Sequence, residues 1–200
     1  EGDVTLANGK LKSSSGTLNL RNGVTQSGSF EFDLGASDLT VEGDVTLANS
    51  GKLKSTSGTL NLRNGVTQSG SFELDLGASD LTVEGDVTLA NSGKLKSTSG
   101  TLNLRNGVTQ SGSFELDLGA SILSLGADYT KSGGNLLSSS ATLDLLVDLA
   151  ITSDSALSFN QLNLNNLTLT LGSESSDLQV SSALIFDNSN ERVMTGPADL

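Results

Sequence analysis

Glu73 and Asp75 stand two residues apart, a spacing that sets both carboxylates on one face of an extended strand. Paired carboxylates can do acid–base hydrolysis when a cleft moves one of them away from its ordinary pKa. The chain contains no His and no Cys, so neither an imidazole base nor a thiolate nucleophile stands beside them. Lys52 and Lys54 precede the pair at an interval of 21, and Lys94 and Lys96 follow it at the same interval. If coils of that length stack, each carboxylate lies between two ammonium groups, and the pair reads as part of a salt-bridge ladder. Such a ladder fixes register more than it adds stability, because an exposed pair contributes only about 0.5 kcal/mol.

Three other patterns bear on chemistry. Glu42-Gly43-Asp44 and Glu84-Gly85-Asp86 put acids in turns, where calcium could bind, but neither an EF-hand loop nor a Gly-Gly-x-Gly-x-Asp nonapeptide is present. They read as solvated turn acids near Arg63 and Arg105. Thr46, Thr67, Thr88, Thr109 and Thr130 form one file, whereas an ice-binding lattice needs a second alongside it. Asn166-Leu167-Thr168 is a glycosylation sequon. The sequence therefore assigns no catalytic, cofactor-binding or metal-binding residue, and the expectation is a protein that is not an enzyme.

The elements that position these residues repeat. Val45, Val66, Val87, Val108 and Tyr129 follow one another at a constant spacing of 21. Seven residues after the four valines stand Lys52, Glu73, Lys94 and Glu115; nine after, Lys54, Asp75, Lys96 and Asp117; eighteen after the first three, Arg63, Glu84 and Arg105. Columns that change sign at each step are expected of coils lying directly on one another. The first coil, from Val4, is one residue short at "LANGKLK", a deletion that falls in a turn. Coils alternate between "DVTLANSGKLKSTSGTLNLR" and "GVTQSGSFELDLGASDLTVE", so the full period is 42.

Within a coil, apolar residues cluster in three places with period two, the mark of strands with one buried face. From Val66 the inward set is Val66, Phe72, Leu74, Leu76, Leu81 and Val83; from Val45 it is Val45, Leu47, Leu53, Leu60 and Leu62, with Thr46, Lys52, Lys54, Asn61 and Arg63 outward. Turns near Asn49-Ser50-Gly51, Ser55 to Gly58 and Asn64-Gly65 give a three-sided coil. Asn64-Gly65 could instead close a hairpin, which would make neighbouring strands antiparallel. Volumes compensate between coil types: Gly51 alternates with Phe72, Ser55 with Leu76, and Leu47 with Gln68. The fold class is all-β, a parallel β-solenoid in which Val45, Val66 and Val87 stack about 4.8 Å apart.

Residues 1–121 form the regular shaft. Residues 122–186 are degenerate coils, with Tyr129 at the Val position, Leu137 eight and Leu143 fourteen residues after it, and Leu162, Leu164, Leu167, Leu169 and Leu171 as strand residues. Residues 187–200, which hold the single Pro, Pro197, read as a transition or cap. Net charge is −12, which argues against nucleic acid or an anionic membrane as partner, and no apolar run is long enough to span a bilayer. The absence of Cys leaves the redox compartment open. The start at Glu1, in mid-pattern and without Met, is expected of a processed product or a segment of something longer.

"DLTVEGDVTLANSGKL" resembles the strand-turn-strand runs of bacteriophage tail-fibre and tailspike shafts, and "ALIFDNSNERVMTGPADL" resembles the segments that join modules in such fibres. That resemblance implies an elongated, extracellular homotrimer linking a virion baseplate to a receptor-binding tip. The coils resemble equally the β-helices of bacterial surface adhesins and amyloid solenoids with alternating charge columns. The expected function is a structural fibre segment supporting host attachment, the alternative being a cell-surface adhesin or functional-amyloid subunit on a cell envelope.

Overall fold

A computed structural model describes residues 2–172 and 177–186. The expected transition at 187–200, with Pro197, lies outside the described residues. Those described contain strands and no helix, and the strands stack into three parallel sheets that form the three sides of a solenoid. Side A holds nine short strands from Val4–Leu6 to Leu169–Leu171, side B seven from Gly9–Lys12 to Asn135–Leu137, and side C nine from Thr17–Leu20 to Leu178–Ile185.

Each coil visits the sides in turn. Val45–Leu47 lies on side A, Lys52–Ser55 on side B and Thr59–Leu62 on side C. Val66 pairs in register with both Val45 and Val87, and Leu74 with both Leu53 and Leu95. The step of 21, the parallel pairing and the three-sided cross-section therefore hold. Asn64-Gly65 turns a corner and closes no hairpin, because Val66 continues onto side A beside Val45.

Period-two alternation makes the core. On side C, Leu60 and Leu62, Leu81 and Val83, and Leu102 and Leu104 point inward and are buried, while Asn61, Thr82 and Asn103 on the same strands face out. Other corners use left-handed backbone: Asn49 and Asn91 have φ of 63° and 62°, and Gly77 has φ of 54° where a Cβ would lie 3.0 Å from the Ser55 carbonyl. The compensation of volumes is steric and close. A Cβ on Gly51 would come within 2.5 Å of the Gln26 amide in the coil on one side and 2.7 Å of the Phe72 ring in the coil on the other.

Some departures from the common spacing fall in corners, and two register shifts lie within strands, between Asp33 and Gly35 and between Phe159 and Gln161. Val4 pairs with Val24 but Gly9 with Phe30, so the missing residue of the first coil lies between Leu6 and Gly9, as expected. Tyr129 takes the Val position and is buried. Three details differ from the sequence reading. Leu136, not Leu137, pairs with Leu116, and Leu137 is 48% exposed. The cause is a corner one residue shorter, in which Gly133-Gly134-Asn135 replaces Gly112-Ser113-Phe114-Glu115. Leu164 and Leu167 flank a turn, because Asn165 and Asn166 between them have φ of 49° and 64°. Ser55 ends a strand and points inward instead of joining the turn after it.

Candidate functional site

Side B carries two of the three charged columns. Lys52–Ser55 and Glu73–Asp75 are parallel, in-register strands whose leucines, Leu53 and Leu74, point into the core, so their charged neighbours face solvent. Lys52 Nζ lies 2.9 Å from Glu73 Oε1 and 3.7 Å from Asp75 Oδ2. Lys94 likewise reaches both Glu115 and Asp117, whereas in the first coil Lys10 pairs with Glu31 at 2.6 Å and Lys12 with Asp33 at 3.9 Å. The hydrogen bond to its glutamate, against a smaller desolvation cost, raises each of the Lys10, Lys52 and Lys94 ammonium groups above the ordinary lysine pKa.

On side B the ion pairs run one way. Glu73 is ladder partner to both Lys52 and Lys94, yet it bonds only to Lys52, and Lys94 turns to the next coil. In the outer column, Lys54 and Lys96 stand beside Asp75 in the ladder without closing an ion pair among the described residues. In the third column the direction is reversed: Arg63 Nε reaches back to Glu42 of the preceding coil at 3.4 Å. Glu73 and Asp75 thus lie partly exposed on the face of side B, where Lys52 reaches both.

The turn acids serve the backbone of the next coil. Asp44 Oδ1 accepts from the Gly65 amide at 3.1 Å, and Asp86 Oδ1 from the Gly107 amide at 3.2 Å. No group of three or more metal-ligating side chains occurs among the described residues. Thr46, Thr67, Thr88, Thr109 and Thr130 stack as a single file on side A, one outward residue on each short strand. Asn166 of the sequon sits at an exposed corner.

What the sequence reading missed is the hydrogen bonding inside the coils. Gln26, Gln68 and Gln110 point inward at the position leucine holds in the other coil type, and Gln68 hydrogen-bonds to Gly70 O and the Ala90 amide. Serine hydroxyls pair 2.7 Å apart at Ser13–Ser37, Ser55–Ser79 and Ser97–Ser121, once per double coil. At the junction with the degenerate coils, Tyr129 Oη donates to Gln110 Oε1 at 2.5 Å, while Gln110 Nε2 donates to the Phe114 and Asn135 carbonyls. Burial, with the nearby Asp154 charge, raises the Tyr129 hydroxyl pKa.

Lys131 follows Gln110 in this inward column, with its side chain 2% exposed. Its ammonium bonds to Asp154 at the half-exposed corner and to Ser155 Oγ at 2.8 Å. The bond from Lys131 lowers the Asp154 pKa. The signal available was Lys131 itself, a charge at a position where earlier coils carry Leu or Gln.

Side chains of this kind join one coil to the next, and comparison with known proteins gives the same emphasis on repetition. Residues 1–53 and 52–97 match DUF5649, repeats of unknown function. Each DUF5649 match spans a little more than two coils, in keeping with a repeat unit of one Lys-bearing and one acidic coil. Neither a curated protein nor a solved structure matches the chain.

Proposed function

We propose that this chain is a non-enzymatic structural segment of an extracellular fibre, the shaft of a virion tail fibre or spike that supports host attachment. The observation that carries this reading is the direction of its polar groups. Lysines, turn aspartates, glutamines and serines reach along the axis to the adjoining coil, so the chemistry of the sequence is used to keep coils in register. Self-association belongs to the reading. The in-register parallel ladders, which repeat the pairing of cross-β filaments, favour a second reading as a bacterial surface adhesin or functional-amyloid subunit.

Antibodies against the chain test both. Immunogold labelling of fibres that project from virions supports the first, and labelling of filaments on intact bacterial cells the second. Labelling confined to the cell interior overturns both. Small-angle scattering of the isolated chain checks the rod directly, since nine stacked strands span about 40 Å along the axis.

A further inference from the structure

We propose that the outward face of side B is a self-docking surface, on which a second copy of this chain packs face to face with the two solenoid axes antiparallel. The proposal rests on the solenoid and on self-association, with a two-fold pair in place of the homotrimer that the fibre resemblance implies, and needs no particular place of display. Six successive strands of this face present rungs of alternating sign, beginning with Lys10 and Lys12 and ending with Glu115 and Asp117. The rungs sum to six lysines against six carboxylates, a neutral face on a chain of net charge −12. Two copies repel each other as wholes, and this is a surface where that repulsion is locally absent.

Symmetry then selects the orientation. A two-fold axis relating two packed faces lies in the plane between them. If it runs along the rods, every rung meets its own copy, lysine on lysine and acid on acid. If it runs along the strands, the order of rungs reverses while the columns are kept. Because an even number of rungs alternates, each then meets its opposite: Lys10 faces Glu115 of the second copy, and Lys52 faces Glu73 of the second copy. The outer column gains most. Lys54 and Lys96, which close no ion pair within the chain among the described residues, face Asp75 and Asp33 of the second copy. A slip of one rung sets like charges together, so the register is specified as well.

Six rungs span only about 24 Å and the strands are short, so the contact falls in the weak, salt-sensitive class of interfaces. Sedimentation equilibrium of the full chain is expected to give twice the 20.4 kDa chain mass at about 20 mM salt and a single chain at about 500 mM. A chain carrying Glu73→Lys and Asp75→Lys together, checked as folded by circular dichroism, is expected to stay single at both. Since the protein has no Cys, orientation can be read from disulfides. Lys12→Cys and Asp117→Cys chains mixed and oxidised should cross-link to each other, and Lys12→Cys chains alone should not. A single chain at low salt, an association indifferent to salt, a trimeric mass, or self-cross-linking of Lys12→Cys overturns the proposal. Scattering that still shows a rod in those cases leaves the fibre reading untouched.

Discussion

Lys52 Nζ lies 2.9 Å from Glu73 Oε1, one coil further along the chain, whereas Glu31, its ladder partner on the opposite side, bonds to Lys10 instead. On side B the lysines thus tie each Lys-bearing coil to the acidic coil after it, whereas Arg63 reaches back to Glu42 of the acidic coil before. Double-mutant cycles should report the asymmetry: about 0.5–1 kcal/mol of coupling for Lys52 with Glu73, and close to none for Lys52 with Glu31, from urea melts at low salt. The larger coupling should shrink at high salt, because both groups are partly exposed. Equal couplings would mean that Lys52 is shared between its neighbours.

Gly51→Ala tests the compensation of volumes. Gly51 has ordinary backbone, but its new methyl would meet the Gln26 amide and the Phe72 ring. The substitution should cost about 1–3 kcal/mol by urea denaturation, the usual range for overpacking. In a Phe72→Ala background, where the ring is gone, the same change should cost clearly less. An equal cost in both backgrounds would place the strain on Gln26 alone.

The junction at Lys131 makes a pH prediction. Asp154 titrates below the ordinary carboxylate value in the folded chain, held down by its bond from Lys131. A depressed folded pKa stabilises the fold above the unfolded value, and that contribution disappears as pH falls through the folded value, hence below the ordinary 3.8 of an aspartate. Asp154→Asn should flatten the acid end of the stability profile. Asp154→Ala should cost about 1–3 kcal/mol by stranding a buried ammonium, while Lys131→Met should be nearly neutral. A Lys131→Met chain as unstable as Asp154→Ala would show that Lys131 is held by something besides the ion pair.

Much of this was legible because the solenoid translates sequence spacing into distance. Val45 and Val66 must lie side by side once every coil has the same length, so the anchors sufficed for fold, register and side number. Local compensation was harder. Leu137 was misplaced because the residue lost from the corner after Lys131 leaves no mark in the apolar pattern, and Leu136 and Leu137 are both leucine. Ser79 gave no sign of burial, since a hydroxyl in a corner looks solvated until Ser55 of the preceding coil comes within 2.7 Å. Ion-pair direction was invisible for a related reason: the columns place Lys52 equally between Glu31 and Glu73, and only side-chain geometry breaks that tie.

The last prediction asks whether the folding unit is one coil or two. Deleting residues 44–85 removes one double coil and joins Gly43 to Asp86, recreating a junction that the chain already contains at Gly85-Asp86. Glu31 then stacks beside Lys94 and Phe30 beside Gly93, as their counterparts Glu73 and Phe72 do in the intact chain. Deleting residues 65–85 removes a single coil, which keeps strand register but sets Lys52 on Lys94, and Gly51 next to Gly93 with no Phe72 ring between them. The lost ring alone should cost about 3–5 kcal/mol, and the like-charged rungs add to it. The shorter deletion should therefore be the more damaging one by urea denaturation, with the longer deletion unfolding near the midpoint of the intact chain. A solenoid whose coils were interchangeable would rank the two deletions the other way, because each coil removed subtracts its own neighbour contacts.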